Sequence, residues 1–308
     1  MVLSKSLPGL TFIKNMSQPS LSKENLRELL AYLTERDNSR IIDGYNGNVE
    51  WCAKAASRSP GRNRYSNVFP WDRNRVRLPS SYSDYINASR ILVNDSEYIA
   101  LQGPLANTIH HFWAMCFHES EVQRNDVVIV VMVTPFKEDG RAKCEKYWPD
   151  LHQSWDLTPG LVQDGIELPD LSVETVEQNH ISDGHFTLRH IQLKSGGCTK
   201  QVYHYHYEKW ADTKAPPNVE DLMKLAAEVH HVKNSVENPP VPVIHCSAGV
   251  GRTGTFIAID QLMYHDGQPL DVVQQMRNGR MMMVQTVYQL EFIYKAQRYI
   301  DKRPEYKE

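Results

Sequence analysis

Cys246 opens the stretch CSAGVGRT, with Arg252 six residues on, Thr253 directly after it, and Gly249 and Gly251 between. A thiol, a glycine-bearing loop and a guanidinium this close together suit capture of a phosphoryl group by a nucleophile. The preceding VPVIH reads as a short strand, and Thr253 to Tyr264 reads as the helix that leaves the loop. A junction of strand, loop and helix is an anion site. The N–H groups of Ser247, Ala248, Gly249, Val250 and Gly251 can converge on an oxyanion, and the helix N-terminus adds partial positive charge. Gly249 and Gly251 let the chain turn with no Cβ in the way. Arg252 offers a planar fork to two phosphate oxygens. The same field favours thiolate, lowering a cysteine pKa to ~3.5–7.5 in such surroundings. A lone cysteine is more often a small buried hydrophobe. A buried inert thiol, however, has no use for the two glycines and the arginine. No Gly-Lys-Ser/Thr follows, so this is not a nucleotide-binding loop.

The rest of the chain must position that loop. Its 308 residues, 41% of them hydrophobic, suffice for a substantial core. A net charge of -3 supplies no global field for nucleic acid or a membrane surface. The five cysteines (Cys52, Cys116, Cys144, Cys198, Cys246) are odd in number and lack C-x-x-C spacing. That pattern argues against a disulfide framework or a zinc site and for a reducing compartment. No metal or cofactor is called for. The longest apolar run, Val127 to Val133, is too short to span a bilayer, and Lys5, Pro8, Gly9 and Lys14 interrupt any signal-peptide core. The expectation is a soluble, cytoplasmic monomer.

Residues 1–20 show no period and read as a loosely held arm. Leu26, Leu29, Leu30 and Leu33 recur at helical spacing behind Ser22, an N-cap. A basic connector, SRSPGRNRY, leads into the body. From Tyr85 to Tyr207 strand-like segments dominate: VVIVVMV as a strand buried on both faces, VYHYHY alternating like a sheet surface. Leu222, Met223 and Ala226 share a helical face behind Asn218, and a last helix spans Val287 to Ile300. With no linker and no repeat, residues 21–308 read as one domain.

HCSAGVGRTG closely resembles the signature of the cysteine-dependent protein tyrosine phosphatases, and further matches extend over about residues 62–300. The resemblance implies a non-receptor, tyrosine-specific catalytic domain. Its fold would be α/β (α+β): one highly twisted mixed sheet flanked by helices, with the cysteine loop between a strand and a helix N-terminus. It implies a phosphocysteine on Cys246, phosphoryl binding by Arg252, and help from Thr253 in breaking the intermediate down. His245 would order the loop.

A thiolate expels a tyrosine oxyanion poorly without a proton donor. The family keeps an aspartate for this on a mobile Trp-Pro-Asp loop, and KWADTKAPP places Asp212 there, beside Trp210. The departures are Ala211 for proline, Thr213 for the usual aromatic and Lys214 for glycine; Glu208 is the fallback acid. RNRYSNV resembles the phosphotyrosine-recognition loop, with Tyr65 walling the pocket and Asn67 where an aspartate usually anchors peptide backbone. DYINAS and QGP are family hallmarks of a structural kind. KEDGRAKCEKYWP places Glu138 to steady Arg252 and Lys143 to approach Asp212, although mixed charge is usually a solvated face. RMMMVQTVYQ places Gln285 to orient water and Gln289 to help bind phosphate, with Met281 to Met283 as core and pocket wall. In some relatives a glycine three residues before that glutamine opens a second phosphotyrosine pocket, and Met282 stands there instead.

The partners implied are phosphotyrosine-containing proteins. A pocket walled by Tyr65 is too deep for the shorter phosphoserine. Dual-specificity relatives are shorter and lack the RNRY segment, and phosphoinositide phosphatases carry lysines in the loop, absent from Ser247 to Gly251. Two other readings remain. One is a pseudophosphatase that binds phosphotyrosine without turnover, favoured only by the altered Trp-Ala-Asp loop. The other is a sulfurtransferase or arsenate reductase, which would lack the upstream tyrosine and tryptophan segments.

Overall fold

Ser22 starts the first helix as its sequence predicts. Its hydroxyl accepts the Asn25 N–H at 3.1 Å, and the Asn25 side chain answers at the Ser22 N–H at 3.2 Å, a reciprocal cap. The helix, α1, runs Lys23–Tyr45 and turns Leu26, Leu29 and Leu33 into the core, with Leu30 half-buried. This computed structural model describes residues 21–80, 83–157, 168–211 and 214–303; the arm expected over 1–20 lies outside them.

A short helix, α2 (Lys54–Ser57), ends where the basic connector begins, and the connector itself holds a 3₁₀ turn at Pro60–Arg62. The strands follow: β1 (Arg75–Arg77), β2 (Tyr85–Val93), β3 (Ser96–Leu101), β4 (Val127–Met132), the small hairpin β5 (Lys137–Glu138) and β6 (Arg141–Ala142), β7 (Ser154–Leu157), β8 (Leu171–Ile181), β9 (Phe186–Ser195), β10 (Cys198–Tyr207) and β11 (Val243–His245). Between and after them lie α3 (Ile109–Val122), α4 (Val219–Asn234), α5 (Gly251–Tyr264), α6 (Pro269–Gly279) and α7 (Val287–Ile300). One nine-stranded sheet has the order β1-β2-β3-β11-β4-β10-β9-β8-β7; β5 and β6 pair separately. Its centre is parallel and its flanks antiparallel. The single mixed sheet flanked by helices is the architecture the resemblance implies.

β11 is the element that matters most. It lies between β3 and β4, pairing Val243 with both Ile99 and Val130, and His245 with both Leu101 and Met132. All three of its residues are buried. A short strand locked on both edges delivers Cys246 to a fixed point at its carboxyl end, where α5 begins. One face of the sheet packs against α1 and α4 to α7 through Leu29, Leu225, Ile257 and Ile293. The other packs against α3 through Phe112, Trp113 and Met115.

Two expectations are corrected, and one element was not anticipated. VYHYHY does not alternate between core and solvent. Val202, His204, Tyr205, His206 and Tyr207 are all buried, because β10 pairs with β4 and β9 and both of its faces are covered. A helix, α3, interrupts the region read as strands. Its middle residues, His111 to Cys116, are buried without a break, so no 3.6-residue stripe shows. α6 went unread, although Pro269 in its first turn is a usual start.

Candidate active site

The cysteine loop owes its shape to groups behind it. Gly249 has φ +72°, and a Cβ there would stand 2.0 Å from the Leu101 carbonyl oxygen, so only glycine fits. Arg280, completely buried, donates Nε to the Gly249 carbonyl and Nη2 to the Ala248 carbonyl, both at 3.0 Å. Its fork is held in turn by Ser89 Oγ at 3.0 Å and Asn87 Oδ1 at 2.7 Å. The Gly103 N–H takes the Ser247 carbonyl at 2.9 Å. Three successive carbonyls are thus drawn backwards, which leaves the loop N–H groups for the cleft side. DYINAS and QGP earn their place here, since they contain Asn87, Ser89 and Gly103. Arg280 was missed at the sequence level; its signal was an arginine heading an apolar run. Burial lowers its pKa to about 10, with Tyr85 and Cys246 opposing, so it stays charged at neutral pH.

The same burial has opposite outcomes for different cysteines. Burial pushes the thiols of Cys116 and Cys144 up. At Cys246, 4% exposed, burial pushes the same way but is outweighed. The Arg252 guanidinium, hydrogen bonds from the Thr253 hydroxyl and N–H, and the Val250 N–H bring its pKa below the ordinary thiol value. Buried hydrophobe and activated nucleophile are therefore distinguishable, and Cys246 has the surroundings of the second.

His245 is neutral, its pKa lowered by burial to about 4. Its Nδ1 faces the Cys246 carbonyl at 3.1 Å and must donate, so Nε2 accepts from the Tyr147 hydroxyl at 2.7 Å. The Tyr147 oxygen then accepts from His204 Nε2 at 2.7 Å. This chain ties the loop to β10. Burial also holds the pKa of His206 down to about 3 and that of His204 well below the ordinary value. Because all three folded-state values lie below the unfolded one, the unfolded chain takes up protons first as pH falls through ~6.5. Stability should therefore drop as pH falls from about 6.5 towards 3, by about 2 kcal/mol at pH 5 for each of His245 and His206, with His204 adding in the same direction. Denaturant titrations across that range test this, and His206→Gln should flatten its share of the slope.

Arg252 is 1% exposed; its Nη1 donates to the Trp210 carbonyl at 2.9 Å and lies 3.6 Å from Glu138 Oε2. Lys143 Nζ stands 3.9 Å from the same carboxylate oxygen. Glu138 and Lys143 are 15% and 12% exposed, so these two turn inward from a charged run whose Lys137, Asp139 and Arg141 are exposed. Their hairpin turns at Asp139 and Gly140, both with positive φ. Trp210 is fully buried, and its indole N–H donates to the Lys214 carbonyl at 2.9 Å. The Lys214 N–H returns to the Ala211 carbonyl at 3.3 Å. Asp212 and Thr213 lie outside the described residues. Glu208, 59% exposed, sits beside His206 and does not line the cleft.

The cleft, about 480 Å³, is lined by Tyr65, Asn67, Lys143, Cys246, Ser247, Ala248, Gly251, Arg252 and Gln285, with Arg64 and Arg141 at its side. Among the described residues, four cations (Arg64, Arg141, Lys143 and Arg252) and no carboxylate line it, which suits a dianion. The Tyr65 hydroxyl meets Ser247 Oγ at 2.8 Å. Arg64 fixes the tyrosine's loop, with its N–H on Gln102 Oε1 at 2.8 Å and its fork on the carbonyls of Gly103 and Pro104. Gly249, Val250, Thr253, His245, Trp210, Glu138 and Gln289 stand behind this surface. The Gln289 side-chain amide oxygen Oε1 accepts the N–H groups of Gln285 and Thr286 at 2.9 and 3.2 Å, and its Nε2 lies against Gly251. A separate apolar cavity of about 360 Å³, between α1, Trp51 and Trp71, shares no residue with the cysteine loop. Among the described residues no cluster of three His, Cys, Asp or Glu is placed to hold a metal, and no helix is long and apolar enough to cross a membrane.

Comparison with known proteins follows the same line. Residues 59–298 match the family model described as protein-tyrosine phosphatase. Tyrosine-protein phosphatase 1 of Saccharomyces cerevisiae is 36% identical over 317 residues, covering 88% of this chain and 92% of that protein. Tyrosine-protein phosphatase 2 of Schizosaccharomyces pombe is 34% identical over 288 residues, and there the chain spans only 38% of the relative's length. A solved structure of PTPN18 in complex with HER2-pY1248 phospho-peptides superposes with a TM-score of 0.75 at 26% identity, covering 90% of this chain and 99% of that one.

Proposed function

The chain belongs to the protein-tyrosine phosphatase family, and on that premise we propose that it hydrolyses phosphotyrosine in proteins through a phosphocysteine on Cys246. One observation carries the reading: a buried thiol whose pKa is lowered by Arg252 and loop N–H groups, in a cation-lined cleft walled by Tyr65. The loop N–H groups and Arg252 bind the dianion, and the Cys246 thiolate attacks phosphorus. The P–O bond to tyrosine breaks as Asp212 gives its proton to the leaving oxygen. Water, oriented by Gln285 and deprotonated by the Asp212 carboxylate, then breaks the S–P bond and returns the thiolate. Thr253 steadies the sulfur as it leaves, and Gln289 holds the Gln285 backbone. Glu138 and Lys143 set Arg252 and the acid loop, while Asn67 takes the peptide backbone by a neutral hydrogen bond.

PTPN18 bound to phosphotyrosine peptides supports peptide esters as the substrate class here. The family's tyrosine selectivity fits a cleft whose far wall is Tyr65. A cytoplasmic location is part of the same proposal, since all five cysteines are free thiols, and a monomer is proposed with it. The test is turnover of an aryl phosphate and of matched phosphotyrosine and phosphoserine peptides. Hydrolysis confined to the tyrosine ester is expected. Tight binding without turnover would replace this reading with a pseudophosphatase.

A second phosphotyrosine groove is not expected. Met282 is half-buried where an opening would need glycine, and Arg277 and Arg40 behind it engage Asp37. Tandem phosphotyrosine peptides should be processed no better than single ones, as kcat/KM on matched peptides will show. A large tandem preference would contradict this.

A further inference from the structure

Two non-glycine residues just before Gln285 hold left-handed backbone conformations: Met282 at φ +61° and Val284 at φ +63°. A β-branched valine resists this region strongly, and such geometry persists only where the surroundings over-determine it. Here the surroundings include a buried ion-paired cluster reaching in from α1. Asp37, 2% exposed, accepts the Met282 N–H at 2.9 Å and Arg277 Nη1 at 3.0 Å on one carboxylate oxygen. Arg277 donates Nε to the Met283 carbonyl at 2.9 Å and Nη2 to the Val284 carbonyl at 2.8 Å. Arg40 closes the cluster with bonds to the other Asp37 oxygen and to the Arg277 carbonyl.

The opposite side of the segment touches the cysteine loop directly. The Val284 N–H donates to the Val250 carbonyl at 3.2 Å. Gly254 makes room for this, since a Cβ there would lie 2.8 Å from that nitrogen. The next residue, Gln285, lines the cleft with Cys246. Asp37 lies outside the matched region 59–298 and was not among the sequence-level candidates.

We propose that Asp37 is a positioning residue for the second half-reaction: through Met282 and Arg277 it fixes the strained segment that aims Gln285 at the attacking water. The helix before the matched region is then a working part of the enzyme rather than an appended support. The inference rests on the reading of Gln285 given above. It concerns only the step in which water attacks phosphorus, the S–P bond breaks towards sulfur, and the water proton passes to Asp212. Formation of the phosphocysteine does not use Gln285.

The test is steady-state and rapid-quench kinetics on full-length Asp37→Asn, with Gln285→Ala alongside. Asp37→Asn should lower kcat by roughly 10- to 10²-fold, the scale on which a remote misplacement acts. KM should fall in proportion, leaving kcat/KM near the parent value, because kcat/KM reports only steps up to tyrosine release. Phosphoenzyme should accumulate in the quench. Adding Met282→Gly to Asp37→Asn should recover much of the loss, since glycine adopts the left-handed conformation without help. If Asp37→Asn does not fold, Asp37→Glu, which keeps the charge but displaces the oxygens, is expected to show the same pattern. A fall in kcat/KM that parallels kcat, or an unchanged kcat, would overturn the assignment of Asp37. If Gln285→Ala also fails to accumulate phosphoenzyme, the reading of Gln285 itself falls, and the inference with it.

Discussion

Cys246→Ser should abolish turnover, with a loss on the order of 10⁶ in kcat, the scale seen when a covalent nucleophile is removed. A serine hydroxyl in the same place is not ionised by the field that ionises the thiol, so no attack on phosphorus follows. Binding should survive, because Arg252, the loop N–H groups and Tyr65 are untouched. Fluorescence polarisation with a labelled phosphotyrosine peptide measures that retained affinity. Iodoacetate should inactivate the parent at Cys246 near neutral pH, with phosphate or vanadate protecting. The alkylation rate should hold as pH falls below the ordinary thiol range, because the Cys246 pKa is lowered. Cys116 and Cys144, whose thiols burial pushes up, should stay unmodified under the same conditions. Turnover by Cys246→Ser close to the parent would sink the mechanism.

Asp212→Ala is expected to lower kcat by roughly 10²–10⁴, the usual worth of general acid catalysis, with much less effect on substrate affinity. At roughly 1.36 kcal/mol per factor of ten, that is about 3–5 kcal/mol of barrier. The basic limb of the kcat/KM profile should flatten in the variant, since that limb reports the proton on the acid. The loss should shrink for esters with good leaving groups, which need less protonation. The Trp210 carbonyl accepts from Arg252 and its indole N–H donates to the Lys214 carbonyl, so Lys214 is tied to Trp210 and Trp210 to the phosphate-binding side chain. A variant with near-parental kcat on phosphotyrosine and an intact basic limb would remove Asp212 from the role, and Glu208 would be tested next.

What could be read from the chain depended on how local its physics was. The cysteine loop was legible because nucleophile, glycines and arginine lie within seven residues, Cys246 to Arg252. Helices with an apolar face were legible too: α1 behind its cap Ser22, α4 behind its cap Asn218, and the last helix, α7. Elements covered on all sides were not, since α3 and β10 carry apolar or aromatic residues on every face and lose their period. The tyrosine wall, Glu138, Lys143 and Gln285 came from family resemblance, and spacing alone would not have found them. Arg280 and Asp37 escaped both routes. Their partners lie 193 residues away in Asn87 and 240 away in Arg277, so no window of sequence contains the interaction. Arg280 was marked only by heading an apolar run, and Asp37, inside the polar stretch TERDNSR, carried no mark at all until its burial was known.

The most direct test of the central claim is to trap the intermediate. Parent enzyme turning over a phosphotyrosine peptide is quenched in acid within the first turnovers, digested, and read by mass spectrometry. One phosphoryl group is expected on the peptide containing Cys246, lost when substrate is allowed to run out before the quench, and absent from Cys246→Ser. A phosphoryl group on any other residue, or burst-free turnover with no phosphoenzyme even in Gln285→Ala, would contradict it.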